Sequence, residues 1–345
     1  MPEHGTSLIT TIAAGLVLAF GFGLAAHRLH ISPLVGYLLA GIIVGPFTPG
    51  FVADQELANQ LAEIGVILLL FAVGLHFSLA DLISVRATAL PGAIGQLAVS
   101  TLLGTALAWS FGWAADAGFL FGLALACGST VVLTKSLQEH RLLDTDRGRI
   151  AVGWLIVQDL VMVVVLVLLP ALGHTGNDAA SWAQIAVALS VTVAKVAAFV
   201  TIMLVAGRRL VPQILHYSAH SGSRELFRLA VYALALGIAY GAYALFGVSV
   251  AVGAFFAGMV LAESPLSQRA TEEALPLRDA FAVLFFISVG MLFNPHVLVE
   301  RPWAVLATLA VIIGGNGLAA FAVTRLLGQP TRNCLDRRGK PGTDR

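Results

Sequence analysis

The chain has 345 residues, of which 58% are hydrophobic and 11% charged, with a formal net charge of +1. A soluble protein carries about 25% charged residues, so a water-solvated globular domain is excluded, and the charge balance gives no reason to expect nucleic acid as a partner. A mean hydropathy of +0.89 makes lipid the solvent of most of the chain, and the apolar runs are too long for barrel strands, so an all-α polytopic membrane protein is expected.

The first stretch, MPEHGTSL, lacks the basic flank of a cleavable signal, so the first apolar run is read as a retained helix. Eleven apolar segments follow, near 7–26, 33–46, 57–75, 87–111, 116–135, 150–172, 182–206, 226–246, 248–262, 279–293 and 302–327. Several are short or interrupted by Gly and Pro, a habit of transporters more than of channels or receptors. Cys127 and Cys334 form no CxxC or secreted pattern, and a reduced state is expected.

Eighteen of the twenty Lys and Arg residues fall in loops on one side of these segments or in the C-terminal tail; Arg301 lies on the other side and Lys195 inside a segment. The positive-inside rule then puts the N-terminus outside and the C-terminus in the cytoplasm.

A repeat is visible. Ser32 to Gly41, SPLVGYLLAG, matches Ser249 to Gly258, SVAVGAFFAG, at an offset of 217, and Leu61, Glu63, Gly74 and Phe77 match Leu277, Asp279, Gly290 and Phe293 at 216. The copies are an odd number of crossings apart and so enter the membrane from opposite faces. That is an inverted repeat, with an ion site expected near the midplane. The repeat partners of Gly128 to Thr130 and of Asp159 fall at or beyond the last residue, Arg345, while 329–345 is a polar, basic, cytoplasmic tail. A truncated or frame-altered C-terminus is expected on this basis.

Asp159 stands near the middle of the 150–172 segment, with Gln158 beside it. A carboxylate at that depth costs roughly 2.5–3.5 kcal/mol on insertion scales, so it is expected to face a wet cavity or proton path. Such a group binds either a proton or a monovalent cation, and competition between the two is antiport in its simplest form. With Gln158 neutral, one proton exchanges for one cation, without net charge movement. Cys127-Gly128-Ser129-Thr130 lies in the middle of the preceding segment; Gly is a weak helix former and Ser and Thr bond their own backbone, so the helix is expected to unwind here and expose carbonyls. Helix packing by small residues is the alternative use of the same tetrad. Glu63 and Asp279 are read at equivalent helix starts, where a carboxylate favours the helix dipole or serves gating or pH response, and Lys195, an intramembrane cation with no evident partner in sequence, is a further candidate for gating or pH response, by pairing with an acid across helices or lining the same cavity. Gly21 to Ala26 fits a dinucleotide pattern but has no preceding strand. No Walker A, HExxH or GxSxG motif occurs, and no cofactor is expected.

The stretches 30–41, 61–75 and 277–291 together with Gln158-Asp159 resemble the monovalent cation:proton antiporter-2 family, most closely its Kef-type potassium/proton antiporters. The resemblance runs from about residue 7 to 328. It implies an inverted-repeat sodium/proton-antiporter-like fold with a broken helix, here about eleven of thirteen transmembrane segments. Scaffold helices at about 7–75 and 226–293 would mediate dimerisation, core helices at about 87–172 and 302–327 would move, and 182–206 would link them. It implies that Asp159 is the ion and proton carrier, with Gln158, Ser129 and Thr130 around it. Relatives commonly carry a lysine near Gly315-Asn316-Gly317, where this chain has Asn316, and many continue into a nucleotide-binding regulatory domain. The expected function is exchange of protons for a monovalent cation, potassium ahead of sodium, across a bacterial inner membrane by a homodimer in lipid. The alternatives are a truncated, non-transporting remnant and a channel-like efflux pore.

Overall fold

The computed structural model describes residues 3–49, 52–173 and 182–326, which form helices and no strand. The tail expected at 329–345 lies outside the described residues. In chain order come α1 (Glu3–Arg28), α2 (Pro33–Val44), α3 (Gln55–Leu75), α4 (Leu79–Ser110), the half-length α5 (Ala115–Ala126) and α6 (Thr130–Glu139), and α7 (Asp146–Gly173). Next, α8 (Trp182–Ile202) passes through a π-helical turn into α9 (Arg208–His220), followed by α10 (Arg224–Phe246), α11 (Val250–Ala262), α12 (Ser267–Met291) and the short α13 (His296–Glu300). A second π-helical segment, Val311–Gly315, joins α14 (Pro302–Ala310) to α15 (Asn316–Leu326).

Helix covers the body of each expected apolar segment. Among the described residues, eight stretches are long and apolar enough to cross a membrane, and Pro33–Val44 and Val250–Ala262 are shorter apolar helices. The chain divides into two compact units: Met1–Leu79 with Ser181–Pro302, and Ala80–Ala180 with the chain from Trp303 onward.

The first unit contains the repeat. Ser32 and Ser249 occupy the same register in the two copies, and each caps its helix: the Ser32 hydroxyl accepts from the Leu34 N–H at 3.4 Å, and the Ser249 hydroxyl from the Val252 N–H at 3.3 Å. The paired helices then cross at glycines. A Cβ on Gly41 would stand 2.1 Å from the Ile287 carbonyl oxygen and 2.9 Å from the Gly290 Cα; a Cβ on Gly258 would stand 2.1 Å from the Phe71 carbonyl oxygen and 3.0 Å from a Gly74 backbone atom. Exchanging the repeat copies turns the first contact into the second, so α2 meets α12 as α11 meets α3. Backbone approach this close is available only to residues without a side chain. The last turns of α3, Ile67 to Leu75, and all of α11 from Val252 to Leu261 are buried on every face, as befits central helices.

One expectation is corrected. Glu63 and Asp279 are not at helix starts: α3 begins at Gln55 behind the cap Asp54, whose carboxylate accepts from the Leu57 N–H at 3.1 Å, and α12 begins at Ser267. The residues preceding each carboxylate are themselves good helix formers, so Glu63 stands eight residues into α3 and Asp279 twelve residues into α12. The dipole explanation for these two carboxylates therefore does not apply.

Candidate functional site

Within the second unit the helix that begins at Ala115 stops at Ala126. Cys127 is extended (φ −77°, ψ 114°), and α6 restarts at Thr130 behind Ser129, whose hydroxyl accepts from the Val132 N–H at 3.3 Å. The break falls on the expected tetrad, and it frees backbone groups at both ends that a buried site must satisfy.

α7 answers one side of the break. Its Asp159 carboxylate accepts the Thr130 hydroxyl at 3.0 Å, and the Gln158 carbonyl accepts the Gly128 N–H at 3.3 Å. Gln158 is 2% exposed and Thr130 8%. Neighbours in sequence thus divide the work: Gln158 holds the unwound backbone, Asp159 the first residue of the restarted helix. Among the described residues no ion pair engages Asp159.

α4 and α15 answer the other side. On α4, Gly92, Gln96 and Ser100 are spaced by four and share a face. A Cβ on Gly92 would stand 2.2 Å from the Trp154 ring, so this glycine seats the indole, whose Nε1–H donates to Gln96 Oε1 at 3.4 Å. Gln158 Nε2 donates to the same Gln96 oxygen. Gln96 Nε2 in turn lies within reach of Ser100 Oγ at 3.0 Å, the Ala126 carbonyl at 3.3 Å and Asn316 Oδ1 at 3.4 Å. Asn316 Nδ2 donates to the Leu125 carbonyl at 3.0 Å. The carbonyls freed at the end of α5 are therefore taken by two neutral amides, one of them at the position where the resemblance implies a lysine.

Asp159, Gln158, Thr130 and Ser129 lie together at the break. Glu63, Asp279 and Lys195 belong to the first unit, and all three are exposed; the Asp279 carboxylate accepts from the Arg278 guanidinium at 2.7 Å. Sequence reasoning missed Gln96 and Trp154. The available signal was Gln96 itself, a lone amide in the apolar run of 87–111, since an amide buried there needs partners.

A repeat crossing at glycines in one unit, and a carboxylate bonded to a broken helix in the other, are the features of a multi-span membrane protein of the secondary-transporter class. The transmembrane sodium/hydrogen exchanger family model matches residues 15–335, and the chain belongs to that family. It is 61% identical over 334 residues to YbaL of Escherichia coli (strain K12), provisionally named a cation/proton antiporter, covering 96% of this chain and 60% of that protein. It is 34% identical over 330 residues to K(+) efflux antiporter 4 of Arabidopsis thaliana, covering 95% of this chain and 55% of that one. The chain thus spans little more than half the length of these relatives. In fold it is similar to the sodium proton antiporter MjNhaP1 of Methanocaldococcus jannaschii, with a TM-score of 0.66 at 17% identity over 92% of this chain and 78% of that one. The family anticipated from the motifs is the family found.

Proposed function

We propose that the chain is the membrane part of a secondary antiporter that exchanges protons for a monovalent cation, potassium in preference to sodium, with Asp159 as the shared carrier. The observation that carries this reading is the 3.0 Å hydrogen bond from Thr130, at the start of the restarted helix, to the Asp159 carboxylate. A carboxylate held there, with no ion pair among the described residues, has two ways of being neutralised, by a proton or by a metal ion, and each excludes the other. Gln158 and Ser129 complete the surroundings of the break and hold its backbone.

Exchange is one for one and moves no net charge, because the groups bonded to the break besides Asp159 are neutral amides, hydroxyls and backbone. The names of the relatives support cation/proton exchange, and that of the plant relative supports potassium. The protein works as a homodimer in a bacterial inner membrane, N-terminus outside and C-terminus cytoplasmic. Scaffold helices at 7–75 and 226–293 form the dimer, core helices at 87–172 and 302–327 carry the ion, and 182–206 links them.

The test uses the purified chain in proteoliposomes with a pH dye inside. An imposed potassium gradient changes the internal pH, sodium does so less, and Asp159→Asn abolishes both responses. Clamping the membrane potential leaves the rate unchanged; a current that tracks the flux would remove the electroneutral part of the reading.

A further inference from the structure

We propose that Gln96 is a positioning residue for ion exchange: it fixes the orientation of the Gln158 amide, and through it the unwound backbone beside Asp159. The proposal rests on the antiport reading for its consequence in transport, and on hydrogen-bond chemistry for its geometry.

Gln96 is 5% exposed, and both ends of its amide are engaged. Two of its partners have only one chemical role each. The Trp154 indole N–H can only donate, and it meets Gln96 Oε1; the Ala126 carbonyl can only accept, and it meets Gln96 Nε2. Rotating the amide by half a turn would set donor against donor and acceptor against acceptor, so its orientation is determined by these fixed partners. The polarity then propagates. With Gln96 presenting its oxygen to α7, Gln158 must donate Nε2 to it, which turns the Gln158 carbonyl to the Gly128 N–H at 3.3 Å. Gly128 lies two residues before Thr130, whose hydroxyl holds Asp159. A fixed donor and a fixed acceptor thus decide, through two amides, which way the break faces.

Replacing Gln96 by Leu leaves the Trp154 N–H, the Gln158 amide and the Ala126 carbonyl short of partners in a buried site, and Gln158 is freed to turn away from Gly128. The apparent K0.5 for potassium rises about tenfold or more, the scale of one lost buried hydrogen bond. A residue that only supported folding would lower the amount of active protein and leave K0.5 where it was.

Gln96→Glu gives a sharper readout. Protonated, the introduced carboxyl keeps one acceptor for α7 and one donor for the Ala126 carbonyl; ionised, it has no donor and sets charge against that carbonyl. The ratio of its K0.5 to that of the unsubstituted chain at the same pH is therefore close to one at acid pH and rises reversibly as the pH is raised.

The experiment compares the unsubstituted chain, Gln96→Leu and Gln96→Glu in proteoliposomes, reading potassium K0.5 against pH. In a Cys334→Ser background it also follows the rate at which a membrane-permeant maleimide alkylates Cys127, a partly exposed thiol at the break. Relative to the unsubstituted chain at the same pH, faster alkylation with raised K0.5 in Gln96→Leu, and an excess rate in Gln96→Glu that disappears on acidification, is the expected result. Alkylation rate and K0.5 unchanged in both variants would overturn the assignment. If the unsubstituted chain exchanges no cation, the antiport reading fails, and the alkylation rates still support or overturn the role of Gln96 at the break.

Discussion

The Thr130 hydroxyl and the Asp159 carboxylate, 29 residues apart in sequence, meet at 3.0 Å where the helix restarts. One is the first residue of a half-length helix and the other the acid midway along its neighbour, so the contact exists only because the backbone unwinds one residue earlier.

A hydrogen bond to a charged group contributes about 1.5–3 kcal/mol, which corresponds to roughly tenfold or more in affinity. Thr130→Val therefore weakens apparent potassium affinity by about that factor, while Thr130→Ser stays within about threefold of the unsubstituted chain. Potassium titration of the pH response in proteoliposomes checks both. Equal affinities in the Val and Ser variants would show that the hydroxyl is not what matters.

Asn316 closes the end of α5 by donating to the Leu125 carbonyl at 3.0 Å. Asn316→Ala leaves that acceptor unpaired, at a cost of about 1–3 kcal/mol, and the melting temperature of the detergent-purified protein falls. Asn316→Leu, which fills the volume without supplying a donor, falls as well. A rescue by Leu would mean that packing, and not the hydrogen bond, was lost.

The glycine crossings predict a pattern of coupling. Gly41→Ala and Gly258→Ala each force backbone apart at a 2.1 Å approach, and each destabilises by about 1–3 kcal/mol. Gly41→Ala with Gly290→Ala acts on a single contact, so the pair costs less than its parts together. Gly41→Ala with Gly258→Ala acts on two contacts that share no residue, and their effects add within about 0.5 kcal/mol. Unfolding of the three single and two double variants in one detergent decides it; additivity in the first pair would mean that the two glycines do not meet.

Much of this was legible in the chain. The break at Cys127-Gly128-Ser129-Thr130 was readable because glycine, serine and threonine each weaken a helix for a known local reason, and the carboxylate of Asp159 because lipid makes a purposeless acid expensive. Glu63 and Asp279 were misread as helix starts because apolar composition ends where lipid ends, whereas helix continues through polar residues as far as a cap such as Asp54.

Composition, the length of the apolar runs and repeated glycine spacing determine by themselves that this chain is helical, embedded in lipid and contains a repeat, since each is set by the solvent or by local backbone chemistry. What the tertiary structure alone decided is which partners satisfy the broken helix. Gln96, Trp154, Gln158 and Asn316 come from three helices far apart in sequence, and an amide has no spacing rule that announces its partner. Only packing brings donor to acceptor, and the cost of leaving either unpaired is what holds them there.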